Sequence, residues 1–341
     1  MIASATANGR ISITGIGSHT PKRIMTNDEI AKRVDTSDEW ILERTGIRER
    51  RVAAPEEALS DISLPAAEAA LEQAGMKASS LDLIVVATVT PDMFFPSTGA
   101  IIADRLGAKD AAAYDLSAGC TGFVYALVQA HGMIAGGLAD NALVIGGDVL
   151  SKIVDWDDRS TCVLFGDGAG AVVLERVGEG GFLGFELGAD GSGGPQLYMP
   201  AGGSRAPATV ETVAEHQHFA KMNGREVFKF ATRVLVDSAE KVLGECGVAV
   251  EDVDVYVPHQ ANVRIIDYAR RKLGIPEERT VVNVDRYGNT SSGSIPLALG
   301  DADADGRLAP GEMVLLTGMG AGLTWGSALI EWTANGKGGT P

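Results

Sequence analysis

The sequence predicts an α/β fold made of two related halves, and three features predict it. Apolar runs without polar alternation occur at Leu83-Ile84-Val85-Val86-Ala87, Ala142-Leu143-Val144-Ile145 and Met313-Val314-Leu315-Leu316, the pattern of strands covered on both faces. Helix-period stretches at 64–74, 122–135, 227–243 and 262–273 separate them, as in an α/β chain. The third feature is an internal repeat. Leu71, Gly75 and Leu81-Asp82-Leu83-Ile84-Val85 align with Leu243, Gly247 and Val253-Asp254-Val255-Tyr256-Val257 at an offset of 172 residues. Tyr114-Asp115-Leu116 aligns with Val284-Asp285-Arg286 at 170, and Ala142-Leu143-Val144-Ile145-Gly146-Gly147 with Met313-Val314-Leu315-Leu316-Thr317-Gly318 at 171. Three ordered matches at nearly one spacing divide the chain into halves at 10–177 and 178–333, with flexible tails expected at 1–9 and 334–341.

Composition narrows the function. The chain has 341 residues, 45% of them apolar, enough for a sizeable core. Gly accounts for 43 residues, roughly 13% against a usual ~7%, which implies tight turns and close backbone approaches. A formal net charge of −16 disfavours a nucleic-acid partner, whose binding depends on neutralising phosphates. The apolar runs are too short to span a bilayer, and the MIASATANGR start has no secretory pattern. Three scattered cysteines make neither a disulfide framework nor a zinc site. A cytoplasmic protein without a bound metal is expected.

The reactive residues fall at the ends of matched strands, where α/β folds build their sites. Cys120 sits in Asp115-Leu116-Ser117-Ala118-Gly119-Cys120-Thr121-Gly122-Phe123, small residues between a short strand and a helix. That helix N-terminus favours a thiolate, although a small buried core cysteine fits the local pattern equally. Cys162 and Cys246 read as core, in an apolar strand and an amphipathic helix. His259 follows the strand ending Tyr256-Val257 and is a candidate donor or base. Asn289, in Gly288-Asn289-Thr290-Ser291, reads on local grounds as turn or capping chemistry before a 295–299 helix. Two other patterns carry less. Gly166-Asp167-Gly168-Ala169-Gly170 precedes a strand rather than the helix a pyrophosphate site needs, and His216-Gln217-His218 lacks carboxylate company.

Together these motifs resemble the β-ketoacyl-acyl carrier protein synthase III family of the thiolase superfamily. The resemblance runs from about Ile11 to Trp332. It is carried by Asp35-Thr36-Ser37-Asp38-Glu39-Trp40-Ile41, Arg44-Thr45-Gly46-Ile47-Arg48, the Cys120 elbow, Phe165-Gly166-Asp167-Gly168-Ala169-Gly170, Val257-Pro258-His259-Gln260-Ala261-Asn262, Gly288-Asn289-Thr290-Ser291 and Thr324-Trp325-Gly326-Ser327-Ala328. It implies a thiolase-like, five-layer αβαβα core and a cytoplasmic homodimer that uses acyl-CoA and malonyl-acyl carrier protein as substrates and needs no cofactor. It also implies roles. Cys120 would carry the acyl group, and His259 and Asn289 would donate to the malonyl thioester oxygen. An oxyanion loop would comprise Gly320, Ala321 and Gly322. Trp40 and Arg159 would sandwich the adenine of CoA in a channel also lined by Arg44 and Asn223. The carrier protein would dock on Gln260, Ala261, Asn262, Val263 and Arg264, with Arg271 and Lys272 adding basic charge.

Departures from the family pattern bear on the starter group. Ala321 puts a methyl group in the oxyanion loop beside Met319, Leu323 is expected to widen the acyl pocket, and Pro91-Asp92-Met93-Phe94-Phe95-Pro96 is bulky where relatives border the starter pocket across the dimer. These bring a longer or branched starter into view. The competing functions are a specialised ketosynthase of a secondary pathway, a Cys-His-Asn hydrolase, and a non-catalytic partner of a ketosynthase.

Overall fold

The computed structural model describes residues 10–333; the tails expected at 1–9 and 334–341 lie outside them. Two sheets form the frame. The first orders its strands Arg10–His19, Asp167–Val177, Asn141–Val149, Leu83–Ala87, Ala112–Leu116. The second orders Gly181–Ala189, Thr324–Glu331, Met313–Gly320, Val255–Pro258. Pairing repeats as well as order: from the first strand inward, each sheet has two antiparallel pairs and then a parallel one.

One matched element differs. The sequence alignment sets Val284-Asp285-Arg286 against a strand, but Val284–Tyr287 is a short helix. The fifth strand of the second sheet is reduced to one parallel bridge between Tyr256 and Thr280. Asn283 explains the break, because its side chain donates to Asp301 and its N–H to Gln260, so that backbone turns away from the sheet.

The layers follow from which faces are apolar. Helices Gly122–Ala135 and Ser294–Ala304 lie between the sheets, and Phe123, Leu127, Ile295 and Leu299 pack with strand residues Val85, Val144, Val257 and Leu316 in one central core. A helix in the middle must be apolar all round, which Gly122-Phe123-Val124-Tyr125-Ala126-Leu127 supplies. Leu59–Ala74 and Thr98–Leu106 cover the outside of the first sheet. Gly224–Cys246 and Val263–Leu273 cover the second. The result is the five-layer αβαβα arrangement.

The Leu59–Ala74 helix begins five residues before the sequence pattern suggests and carries Pro65 in its interior. Cys162 ends a short helix, Arg159–Cys162, rather than lying in a strand, and is fully buried. Cys246 is the last residue of the Gly224–Cys246 helix and half-buried. Gly168 and Gly170 lie in a strand, and Asp167 accepts from Ala53 N and Ser151 N, so this stretch is structural.

Candidate active site

Cys120 stands between the Ala112–Leu116 strand and the Gly122–Ala135 helix, on an elbow pressed against the 320–322 loop. Gly119 has φ +57, and a Cβ there would lie 2.6 Å from Ala321 N. A Cβ on Gly320 would come within 2.3 Å of Cys120 N. Only glycines permit both approaches, and they bring two segments 200 residues apart in the chain into backbone contact. The Thr324 hydroxyl donates to Ala118 O at 2.7 Å and fastens the elbow from the second sheet.

The Asn289 loop is held from both sides. Asn289 N donates to Leu164 O at 2.8 Å, and Gly166 N donates to Asn289 O at 3.0 Å. Ser292 N donates to Asp148, whose buried carboxylate also accepts from Thr88, Val89 and Thr90. Asn289 Oδ1 accepts from Ser291 N at 2.8 Å, the local turn bond expected of it. Because that N–H can meet only an acceptor, the bond fixes which way the amide faces and leaves Nδ2 as a donor. His259 follows the Val255–Pro258 strand, donates its N–H to Thr317 O at 2.8 Å, and is 1% exposed.

These three residues border one cavity of about 320 Å³, together with Phe165, Met319, Trp40, Arg44 and Arg159. A smaller apolar cavity of about 170 Å³ also meets Cys120 and is lined by Leu150, Ile153, Leu197, Met199, Ser291 and Ala321. Leu323 borders neither. It packs with Phe230, Ile265 and Met319 on the far side, so it does not widen the smaller cavity as expected.

The electrostatics differ from the helix-end expectation. Burial pushes the Cys120 thiol up to about 11, against the opposing pull of the Ser291 hydroxyl and of the Cys120 and Ala321 backbone N–H groups. Burial brings His259 down to about 3, so its imidazole is neutral at physiological pH. The site therefore rests as a neutral thiol beside a neutral imidazole and an amide.

At the outer wall, Trp40 lies on the Asp38–Thr45 helix, whose N-cap Ser37 accepts from Trp40 N. The Arg159 guanidinium is 4.3 Å from the Trp40 ring centre and that of Arg44 is 5.4 Å away. Arg159 thus stacks directly on the indole, and no space for a base remains between them. Asn223 does not border the cavity, though its neighbours Met222 and Gly224 do. Its side chain caps the Gly224–Cys246 helix, accepting from Glu226 N at 3.5 Å.

The expected docking residues divide. Gln260 is fully buried; its amide donates to Pro258 O and Val281 O and accepts from Asn283 N, so it is a strut and not a surface contact. Ala261 is buried on the cavity wall. Asn262 caps the Val263–Leu273 helix through Arg264 N and donates to Arg44 O, while Val263 packs into the core. Arg264, Arg271 and Lys272 are exposed around an open cleft with Phe228, Asp267 and Tyr268. Arg264 lies over Phe228 at 5.7 Å. The His216 pattern also changes meaning: its Nδ1 is 2.8 Å from Asp155 Oδ2, a carboxylate 61 residues away that sequence spacing could not supply.

Models of the 3-oxoacyl-[acyl-carrier-protein] synthase III family match residues 114–191 and, for its C-terminal part, 243–332. Beta-ketoacyl-[acyl-carrier-protein] synthase III of Symbiobacterium thermophilum is 55% identical over 323 residues, covering 94% of this chain and 98% of its own. The chain belongs to this synthase III family. The corresponding protein of Desulfitobacterium hafniense is 52% identical, covering 96% and 99%. Among solved structures, 3-oxoacyl-[acyl-carrier-protein] synthase III of Aquifex aeolicus superposes with a TM-score of 0.88 at 45% identity, covering 94% of this chain and all of that one. The thiolase-like synthase III fold thus agrees with the five layers described above.

In this synthase III chain, the sequence does not mark Asp148 or Ser294. Each acts across 30 residues or more, and no local pattern marks a serine or aspartate for that.

Proposed function

We propose that the protein is an acyltransferase that takes an acyl group from acyl-CoA onto Cys120 and condenses it with malonyl-acyl carrier protein, beginning a fatty-acid chain. The observation that carries this reading is one cavity bordered both by Cys120, His259 and Asn289 and by the Trp40, Arg44 and Arg159 cluster. In the first half-reaction, the Cys120 sulfur attacks the thioester carbonyl, and the carbon–sulfur bond to CoA breaks. The thiol proton ends on the departing CoA sulfur, so the half-reaction neither takes up nor releases a proton overall. The backbone N–H groups of Cys120 and Ala321 face the sulfur and can hold the oxyanion.

In the second half-reaction the malonyl carbon–carbon bond breaks, CO₂ leaves and the electron pair moves onto the thioester oxygen as an enolate. His259 and Asn289 donate hydrogen bonds to that oxygen. Neutral donors suit this step, because a carboxylate at either position would oppose the new charge. The enolate carbon then attacks the acyl carbonyl, and Cys120 leaves as a thiolate that takes a proton from water.

The CoA adenine enters against Trp40 by displacing Arg159, which swings to the outer face of the base. A base between the two planes needs about twice the ~3.5 Å contact distance, more than the present 4.3 Å. The 170 Å³ apolar cavity takes the acyl chain. An enclosed dry cavity of about 150 Å³ accommodates benzene, and this open-sided one of about 170 Å³ has room for a starter of up to roughly four to six carbons. The exposed apolar loop with Phe94 and Phe95 at 82% and 85% exposure is covered in a homodimer. Arg264, Arg271 and Lys272 receive the carrier protein.

The test is product formation from a panel of acyl-CoA starters with malonyl carrier protein, followed by mass spectrometry of the carrier. A β-ketoacyl carrier product with four- to six-carbon starters is expected. Free acid without condensation would replace this reading with a hydrolase.

A further inference from the structure

We infer that Ser294 is a positioning residue that sets the tautomer of His259 and so makes its Nε2 the hydrogen-bond donor toward the cavity. The inference deepens the proposed function and rests on it for its catalytic consequence. Its physical basis is independent. Ser294 Oγ lies 2.5 Å from His259 Nδ1, both buried, with the serine 1% exposed. That distance is a hydrogen bond, and the other partner of the hydroxyl sets its direction.

Gln260 N donates to Ser294 Oγ at 3.2 Å. The hydroxyl therefore already accepts a backbone proton, and its own proton needs an acceptor. Among the described residues His259 Nδ1 is the acceptor within reach. A serine that donates to Nδ1 leaves the ring proton on Nε2, since a neutral imidazole carries one. His259 Nε2 is buried without a hydrogen-bond partner among the described residues, and its ring borders the cavity with Cys120 and Asn289. A buried unpaired donor is costly, and here the cost is relieved when a ligand oxygen arrives.

Burial alone keeps the ring neutral but does not choose between its nitrogens. Ser294 makes the choice. The opposite tautomer would aim a lone pair at the enolate oxygen, repelling the charge the site must stabilise. It would also make Nε2 a base able to take the Cys120 proton. Ser294 therefore decides whether this histidine serves as donor or as base.

The fold holds Ser294 for this purpose. It opens the Ser294–Ala304 helix between the two sheets, next to the Ser291–Gly293 turn that carries the Asn289 loop. The same short segment thus sets both donors: Ser291 N orients the Asn289 amide, and Ser294 Oγ orients the imidazole.

The experiment is nitrogen-15 NMR of histidine-labelled full-length protein, wild type, Ser294→Ala and Ser294→Thr, with both half-reactions measured on the same samples. Wild type should show His259 as the Nε2–H tautomer from pH 6 to 8. Ser294→Thr should keep that tautomer and malonyl decarboxylation within a few fold. Ser294→Ala should lose the tautomer preference and drop decarboxylation by about 10- to 100-fold, the range seen when a metal-ligating histidine loses the partner that orients it. Loading of Cys120 from acyl-CoA should stay within a few fold. Wild-type His259 protonated on Nδ1, or a Ser294→Ala spectrum unchanged from wild type, would overturn the inference. If Ser294→Ala does not fold, the wild-type and threonine spectra still decide it. A wild-type protein that shows the Nε2–H tautomer but never decarboxylates malonyl carrier protein would refute the proposed function and leave the role of Ser294 toward His259 standing.

Discussion

The Ser292 hydroxyl donates to Gly119 O at 3.1 Å, joining the loop that carries Asn289 to the elbow that carries Cys120 across 173 residues of chain. The bond is buried and fixes the spacing between the nucleophile and an enolate donor. Ser292→Ala removes it and leaves a buried carbonyl without that partner, a loss of about 1 kcal/mol. Chemical unfolding should show that cost, and both half-reactions should slow together by several fold. A change confined to one half-reaction would show that the bond does not couple the two loops.

His259 and Asn289 should separate the half-reactions. His259→Ala and Asn289→Ala are expected to reduce malonyl decarboxylation by about 10²–10³, the usual effect of losing one preorganised donor. Acyl loading of Cys120 should fall much less. Equal losses in both would make His259 the base that activates the thiol.

Acid stability follows from two histidines. Burial lowers His259 to about 3 and His131, which packs edge-on to Phe182 and Phe185, to about 4. Both lie below the unfolded value of 6.5, so between these values the unfolded chain binds more protons than the folded one. Stability is complete above pH 6.5 and declines as pH falls toward 4, by up to about 1.4 kcal/mol per pH unit for each histidine. Denaturant titrations at stepped pH should show this slope, and His131→Phe should reduce it by about half. A stability flat from pH 6.5 to 4.5 would contradict the assignment.

The frame of the molecule was legible because its signals are local. Leu83–Ala87 and Gly122–Ala135 announce themselves by apolar runs and helical periodicity, and both occupy those residues in the structure. Both sheets pair their strands in the same order, but Val284-Asp285-Arg286 misled. Three residues resembling a strand were outweighed by the bonds that Asn283 makes to Gln260 and Asp301. Cys120 and His259 could be singled out because each follows a strand, whereas Asn289 follows a short helix and was marked only by the family resemblance. Their companions could not: Ser294, Asp148 and the Asp155 partner of His216 depend on contacts across tens of residues, where sequence spacing carries no signal. Burial, too, is a tertiary property. It overrode the helix-end argument for a thiolate at Cys120.

The stretch from Gln260 to Arg264 gives a prediction in which its two ends part. Arg264→Glu should weaken use of malonyl carrier protein and reduce its salt sensitivity, with little effect on acyl-CoA loading, because an exposed rim charge acts mainly on encounter. Gln260→Ala should instead destabilise the fold by about 1–3 kcal/mol, since it strips partners from buried backbone groups. Kinetics with the carrier varied, alongside thermal melts, separate them. Equal damage to both half-reactions by Arg264→Glu would place that residue in the channel or the fold.

The most direct test of the account is where the acyl group goes. Wild-type protein mixed with acyl-CoA and examined by intact mass and peptide mapping should gain one acyl group on the peptide containing Cys120, and loading should quicken from pH 7 to 9 because the thiol is pushed up to about 11. Cys120→Ser should gain none. An acyl group found on Cys162 or Cys246, or loading of Cys120→Ser at the wild-type rate, would contradict the account.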